Sequence, residues 1–183
     1  KYPIIVRPSH VIGGRAMAVL HSAQQFINYL ASAPAINLDS PLLIDRFLDN
    51  AIEVDVDAVS DGRDVKIVGI MEHIEQAGVH SGDSACTLPA HSLSKDVQLQ
   101  LCKQVAKLAK ALNVVGLINT QFAIQDSDIF VIEVNPRASR TVPFVAKATG
   151  LPVVQLAVRA MLGHKLADQN IPKMLDCWER SDV

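Results

Sequence analysis

"LINTQFAIQDSDIFVIEVNPRASR", residues 117–140, holds two apolar runs separated by Asp126-Ser127-Asp128. Each run is rich in β-branched and aromatic residues, and the polar triplet between them predicts a hairpin. Pairing 117–125 with 129–135 sets Gln121 opposite Glu133 and Asn119 opposite Asn135. Residues opposite one another share a face of a sheet. One face then carries Asn119, Gln121, Glu133 and Asn135, and the other carries Ile118, Phe122, Ile124, Phe130, Ile132 and Val134. A one-residue slip would destroy that segregation. Pro136 ends the strand, and Arg137 continues the polar face beyond it. Oxygen ligands from Glu, Gln and Asn suit hard cations such as Mg²⁺ rather than zinc. Arginines suit phosphate or carboxylate. The face therefore reads either as a site for a metal–phosphate complex or as an ordinary solvated sheet surface.

Three further stretches carry functional signals. "VRPSHVIGGR" (6–15) places Arg7 near a strand end and then Gly13-Gly14, a pair that lets backbone N–H groups approach phosphate oxygens or simply makes a turn. No GK[ST] follows, so this is not a Walker A loop. "IEVDVDAV" (52–59) alternates as a half-buried strand does, with Glu53, Asp55 and Asp57 on one face. Glu53 lies nearest the strand start and a cleft, whereas Asp55 and Asp57 read as solvated acids. In "MEHIEQAGVHSGDSACTLP" (71–89), His73 and His80 lack a third ligand at zinc spacing. Ser81, His80 and Asp83 are too close in sequence to converge as a hydrolytic triad, and no GxSxG elbow is present.

The remaining pattern is α+β. Strands are expected at 3–8, 16–20, 41–48, 52–59 and 65–74, and helices at 22–33, 94–112, 142–149 and 153–162. Ser22 and Ser94 stand at helix N-caps, and Gly150 and Gly163 at helix ends. The 183 residues suit one domain, or one domain and part of another. The first residues already read as a strand, as in a fragment of something longer. A net charge of −2 gives no basic footprint, which argues against nucleic acid. Cys86, Cys102 and Cys177 form no CxxC pair, which predicts reduced thiols and a cytoplasmic protein. No apolar run approaches membrane-spanning length.

The segments "VRPSHVIGGRAM", "FLDNAIEVDVDAVSDG", "GIMEHIEQAGVHSGDSACTLP" and "IEVNPRASRTVPFVAKATG" resemble the ATP-grasp modules of carbamoyl-phosphate synthetase large subunits. The likeness covers roughly residues 1–170. "MEHIEQAGVHSGDSA" and "RTVPFVAKATG" are similar to the C-terminal half of that enzyme, which phosphorylates carbamate. The implied fold is a partial lid subdomain (1–46), an antiparallel-sheet main subdomain with flanking helices (47–170), and an atypical tail (171–183).

The resemblance also implies roles. Arg7 would contact the ATP phosphates, and Gly13 and Gly14 would form a flap over them. Arg46 and Leu48 would lie beside adenine, and Glu53 would hold the ribose hydroxyls. Gly78, Val79, His80 and Ser81 would line the nucleotide and a nearby site for a monovalent cation, K⁺. Gln121 and Glu133 would bind one Mg²⁺ or Mn²⁺, and Glu133 with Asn135 a second. Arg137 and Arg140 would steady carbamate and the transferring phosphoryl group. The implied partners are the remainder of the large subunit and a glutamine amidotransferase small subunit. The implied product is carbamoyl phosphate for arginine and pyrimidine synthesis. Another ATP-grasp ligase, such as a biotin carboxylase, or a non-catalytic nucleotide-binding fragment shares part of this logic. The chain alone is expected not to make carbamoyl phosphate, because the family's preceding domain and a further lid arginine are absent from it.

Overall fold

The computed structural model describes residues 1–9, 16–32, 41–77 and 84–171. The chain divides into two units, Lys1–Asp49 and Asn50–Val183.

In the first unit, β1 (Ile4–Pro8) pairs antiparallel with β2 (Ala18–Leu20) on one side and β3 (Leu42–Arg46) on the other. Between β2 and β3 lies α1 (Ala23–Ser32). The hydroxyl of Ser22 accepts from the Gln25 N–H, so the helix begins at the expected cap. Val6 and Leu20 are buried here, but α1 buries none of its residues.

The second unit is built on a five-stranded antiparallel sheet, ordered β6-β5-β4-β7-β8. Its strands are β4 (Ile52–Asp61), β5 (Val65–Gln76), β6 (Cys86–Thr87), β7 (Val115–Gln125) and β8 (Asp128–Asn135). Among its described residues it carries three α-helices, α2 (Lys95–Ala111), α3 (Val142–Thr149) and α4 (Val153–Met161), and a short 3-10 turn at Leu166–Asp168. Strand β4 is central, and alternation along it feeds two cores. Val54, Val56 and Ala58 point to one side, where they join Ile70, Ile118, Phe122 and the α2 residues Val97, Leu101 and Val105. Val59 points to the other side and joins Met71, Leu117, Val145 of α3, and Leu156 and Ala157 of α4.

The alternation in β4 does not leave one face in solvent. Asp55 and Asp57 are 1% and 0% exposed, which overturns their reading as solvated acids. A central strand covered on both sides has no wet face, and acids there persist only with hydrogen-bond partners.

The β7–β8 hairpin has the expected pairs, Gln121 with Glu133 and Asn119 with Asn135. Its turn is tighter than expected: Gln125 pairs with Asp128, leaving the two-residue loop Asp126-Ser127. Both loop residues have positive φ, 51° and 77°, the sign pattern of a type I′ turn. A register shift between Gln121 and Phe122 compensates for the shorter loop. Phe122 therefore pairs with Val131, and Phe130 falls opposite Ala123. The expected placement of Phe130 and Ile132 on the Phe122 face is thus corrected. Ile129 and Val131 occupy that side, and Ile132 sits in the irregularity, 48% exposed.

Candidate functional site

The polar face expected from the hairpin extends over two more strands, β4 and β5. Asp55 lies opposite Gln121, and Asp57 opposite Asn119, across the β4–β7 ladder. With Glu53 at the start of β4 and His73 on β5, the sheet presents four carboxyl groups, three amides and one imidazole on a single side. The opposite side carries the α2 core, so the two cores and this polar strip share one sheet.

The buried end of the strip is a hydrogen-bonded network. Asn119 Nδ2 donates to Asp55 Oδ1 at 2.9 Å and to Asp57 Oδ1 at 3.0 Å. The amide orientation follows from this: a carbonyl oxygen facing two carboxyls would repel both. Asp55 Oδ2 is 2.8 Å from His73 Nε2. That hydrogen bond raises the imidazole's pKa, burial opposes it, and the carboxylates of Asp55, Glu53 and Glu75 add to the rise. Glu53, Asp55 and His73 each bring a ligand atom within 4.8 Å of the others, a donor set able to hold a cation. In this structure Asp55 uses both oxygens on His73 and Asn119. Sequence spacing missed this cluster because the partners of His73 come from the neighbouring strand β4.

The open end of the strip holds the residues expected to bind metal. Gln121 and Asn135 are half-buried and Glu133 is exposed, all on one side of β7–β8. Arg137 Nη2 donates to Asn135 Oδ1 at 3.0 Å, and its Nη1 donates to the Ala138 carbonyl at 2.8 Å. One lone pair of that amide oxygen stays outside the arginine contact. Arg140 is exposed in the same segment. The donors are all oxygen, which fits a divalent hard cation.

The other expected site residues fall elsewhere. Glu53 is 6% exposed. Arg7 is exposed on β1, Arg46 is exposed at the end of β3, and Leu48 is half-buried just beyond it, all within the first unit. Gly13, Gly14, Gly78, Val79, His80 and Ser81 lie outside the described residues. Sequence reasoning gave no role to Ser139 and Thr141, yet both hydroxyls meet Asp57. The available signal was weak: Thr141 stands where a helix cap is expected, and its side chain does not cap α3.

The profile of the family described as carbamoyl-phosphate synthase L chain, ATP binding domain, matches residues 1–169. The carbamoyl phosphate synthase large chain of Neisseria meningitidis serogroup A is 58% identical over 172 residues, 94% of this chain and 16% of that protein. The large chain of Vibrio vulnificus is 56% identical over 172 residues, again 94% and 16%. The chain thus spans about one sixth of the length of these relatives. Among solved structures, the biotin carboxylase domain of Hydrogenobacter thermophilus 2-oxoglutarate carboxylase superposes with TM-score 0.71 at 18% identity, covering 91% of this chain and 38% of that one. Campylobacter jejuni biotin carboxylase gives 0.70 at 18% identity, with coverage of 94% and 39%. These structural likenesses establish an ATP-grasp fold of the α+β class. By the extent of the family match and by its identity to these large chains, the chain belongs to the carbamoyl-phosphate synthase large-chain ATP-binding domain family.

Proposed function

We propose that the polar strip of the second unit receives the phosphates of ATP together with divalent metal. In the longer protein, this site would transfer the γ-phosphoryl group to carbamate, giving carbamoyl phosphate for arginine and pyrimidine synthesis. The observation that carries the reading is the register: Gln121 opposite Glu133, with Asn135 two residues further along the same face. Gln121, Glu133 and Asn135 would hold the metal, Mg²⁺ or Mn²⁺. When bound, the metal would offset charge on the phosphoryl oxygens.

The chain's own residues supply position. Arg137 is tied to Asn135 and to the Ala138 carbonyl, so its guanidinium is fixed at the end of β8 beside the oxygen donors. Phosphoryl transfer depends mainly on placement and charge, and carbamate is already an anionic nucleophile needing no general base. The choice of carbamate as acceptor rests on the motif "MEHIEQAGVHSGDSA", part of which lies outside the described residues.

Calorimetric titration of the chain with ATP tests the metal reading. Binding is expected to tighten on adding Mg²⁺. Glu133→Gln, which removes the charge opposing the cation, should weaken the Mg²⁺-ATP complex about tenfold or more while leaving metal-free ATP unchanged. Equal affinity of wild type and variant in Mg²⁺ would remove Glu133 from the metal.

A further inference from the structure

Arg137 and Arg140 lie in the segment 136–141, between β8 and α3. Pro136, Arg137, Ala138 and Arg140 are exposed, and Ser139 and Thr141 are half-buried. What holds it lies beneath. Asp57, 0% exposed on β4, reaches it with both carboxyl oxygens. Oδ1 is 2.8 Å from Ser139 Oγ, and Oδ2 is 2.5 Å from Thr141 Oγ1. The two hydroxyl oxygens are 2.6 Å from each other. The three side chains close a ring with three oxygen–oxygen edges at hydrogen-bond distance.

Counting protons decides the chemistry of this ring. The two hydroxyls bring one proton each. An ionised Asp57 brings none, so one edge would set lone pair against lone pair. A neutral Asp57 brings the third proton. Asp57 Oδ2–H then donates to Thr141, Thr141 to Ser139, and Ser139 to Asp57 Oδ1. That oxygen also accepts from Asn119 Nδ2 at 3.0 Å.

We infer that Asp57 is a positioning residue: held as the neutral acid, it staples Ser139 and Thr141 to the sheet and so fixes the segment bearing Arg137 and Arg140. Burial pushes the Asp57 carboxyl up, the hydrogen bonds that Thr141, Asn119 and Ser139 would donate to the ionised form oppose this, and the neighbouring Asp55 charge adds to the rise. The staple explains why Thr141 stands at the start of α3 without capping it. It also accounts for a carboxyl group in a central strand, where an unpartnered one would be costly. The consequence for ligand binding rests on the nucleotide reading above; the staple itself does not.

The test compares Asp57→Asn with Thr141→Val in the whole chain. Asparagine presents one N–H donor and one carbonyl acceptor to the ring, as a neutral acid does. Valine keeps the shape of threonine and removes a ring member. Infrared spectra at neutral pH should show a carboxylic-acid carbonyl band that Asp57→Asn abolishes. Amide exchange at 138–141 should stay within about twofold of wild type in Asp57→Asn. In Thr141→Val, which breaks two of the three ring edges, it should rise about tenfold or more, at least the net worth of one hydrogen bond, with β4 and β7 unchanged. Mg²⁺-ATP affinity should follow the same order. Absence of the infrared band, or Asp57→Asn loosening the segment as much as Thr141→Val, overturns the neutral staple. A loosened segment with unchanged Mg²⁺-ATP affinity upholds the staple and overturns the nucleotide reading of this end of the strip.

Discussion

Asp55 shows how far one carboxylate's effect depends on its surroundings. On a wet strand, Asp55→Asn would be silent. Here Oδ1 accepts from Asn119 and Oδ2 faces His73, both buried. Asparagine would remove the charge that raises the His73 pKa and leave one polar contact mismatched. The expected loss is about 1.5–3 kcal/mol, the range for hydrogen bonds to charged groups. Urea denaturation of the two chains checks it, and a change within about 0.5 kcal/mol, typical of surface positions, would return Asp55 to the solvated class. Glu72 works on the other side of the sheet. Its Oε2 accepts from the backbone N–H groups of His91 and Ser92, at 3.0 and 2.9 Å, and its Oε1 meets the Ser92 hydroxyl. Burial alone would raise its pKa, but these hydrogen bonds outweigh burial and hold it below the ordinary value. A carboxyl with a lowered folded pKa stabilises fully above the unfolded value, about 4.3, and the effect is lost as pH falls through the lower folded value. Stability curves against pH should therefore fall on the acid side in wild type and fall less in Glu72→Gln. An equally steep acid limb in the variant would show that Glu72 does not drive it.

At the scale of elements, the β7–β8 hairpin depends on two local features that compensate for each other. Asp126 and Ser127 both hold positive φ. An L-residue other than glycine costs about 1–2 kcal/mol in that region, partly offset in glycine by its freer unfolded chain. Ser127→Gly should therefore be stabilising by about 0.5 kcal/mol, and Ser127→Val destabilising by more than 1 kcal/mol, since branching at Cβ worsens positive φ. Urea midpoints that rank valine above glycine would mean that the turn is not of this type. The same hairpin marks where sequence reading succeeds and stops. Alternation made the strands and the Gln121–Glu133 pair legible. Loop length and register irregularity are two one-residue changes that cancel at Gln121, so the pair was right while the residues between it and the turn were shifted. Burial of Asp55 and Asp57 was not legible for a different reason. Their partners Asn119, Ser139 and Thr141 lie 62 to 84 residues away in the chain, and periodicity sees only neighbours. Of the candidate site, the open end followed from local pattern and the buried end required the sheet.

For the whole molecule, the distribution of core predicts the distribution of stability. The second unit holds a sheet between two apolar clusters, with Phe122, Ile70, Met71 and Leu101 at 0 to 1% exposure. The first unit buries Val6 and Leu20, while Ile27 and Leu30 of α1 are 57% and 44% exposed and Ile44 of β3 is 50% exposed. Free energy of local opening follows buried apolar contact, so backbone amides of β4 and β7 should exchange with solvent only through global unfolding of their unit. Those of β1 and β3 should exchange sooner, each by its own smaller core. Phe122→Ala makes the argument quantitative. Its ring is 0% exposed in the α2-side cluster, and removing such a ring costs about 3–5 kcal/mol. At 1.4 kcal/mol per factor of ten, β4 and β7 exchange should accelerate by about two orders of magnitude or more, while β1 and β3 amides keep their wild-type rates. Hydrogen exchange read by mass spectrometry on both chains decides it. Slower exchange in β1 and β3 than in β4, or equal acceleration across all eight described strands in Phe122→Ala, would show that stability does not follow the two cores described here.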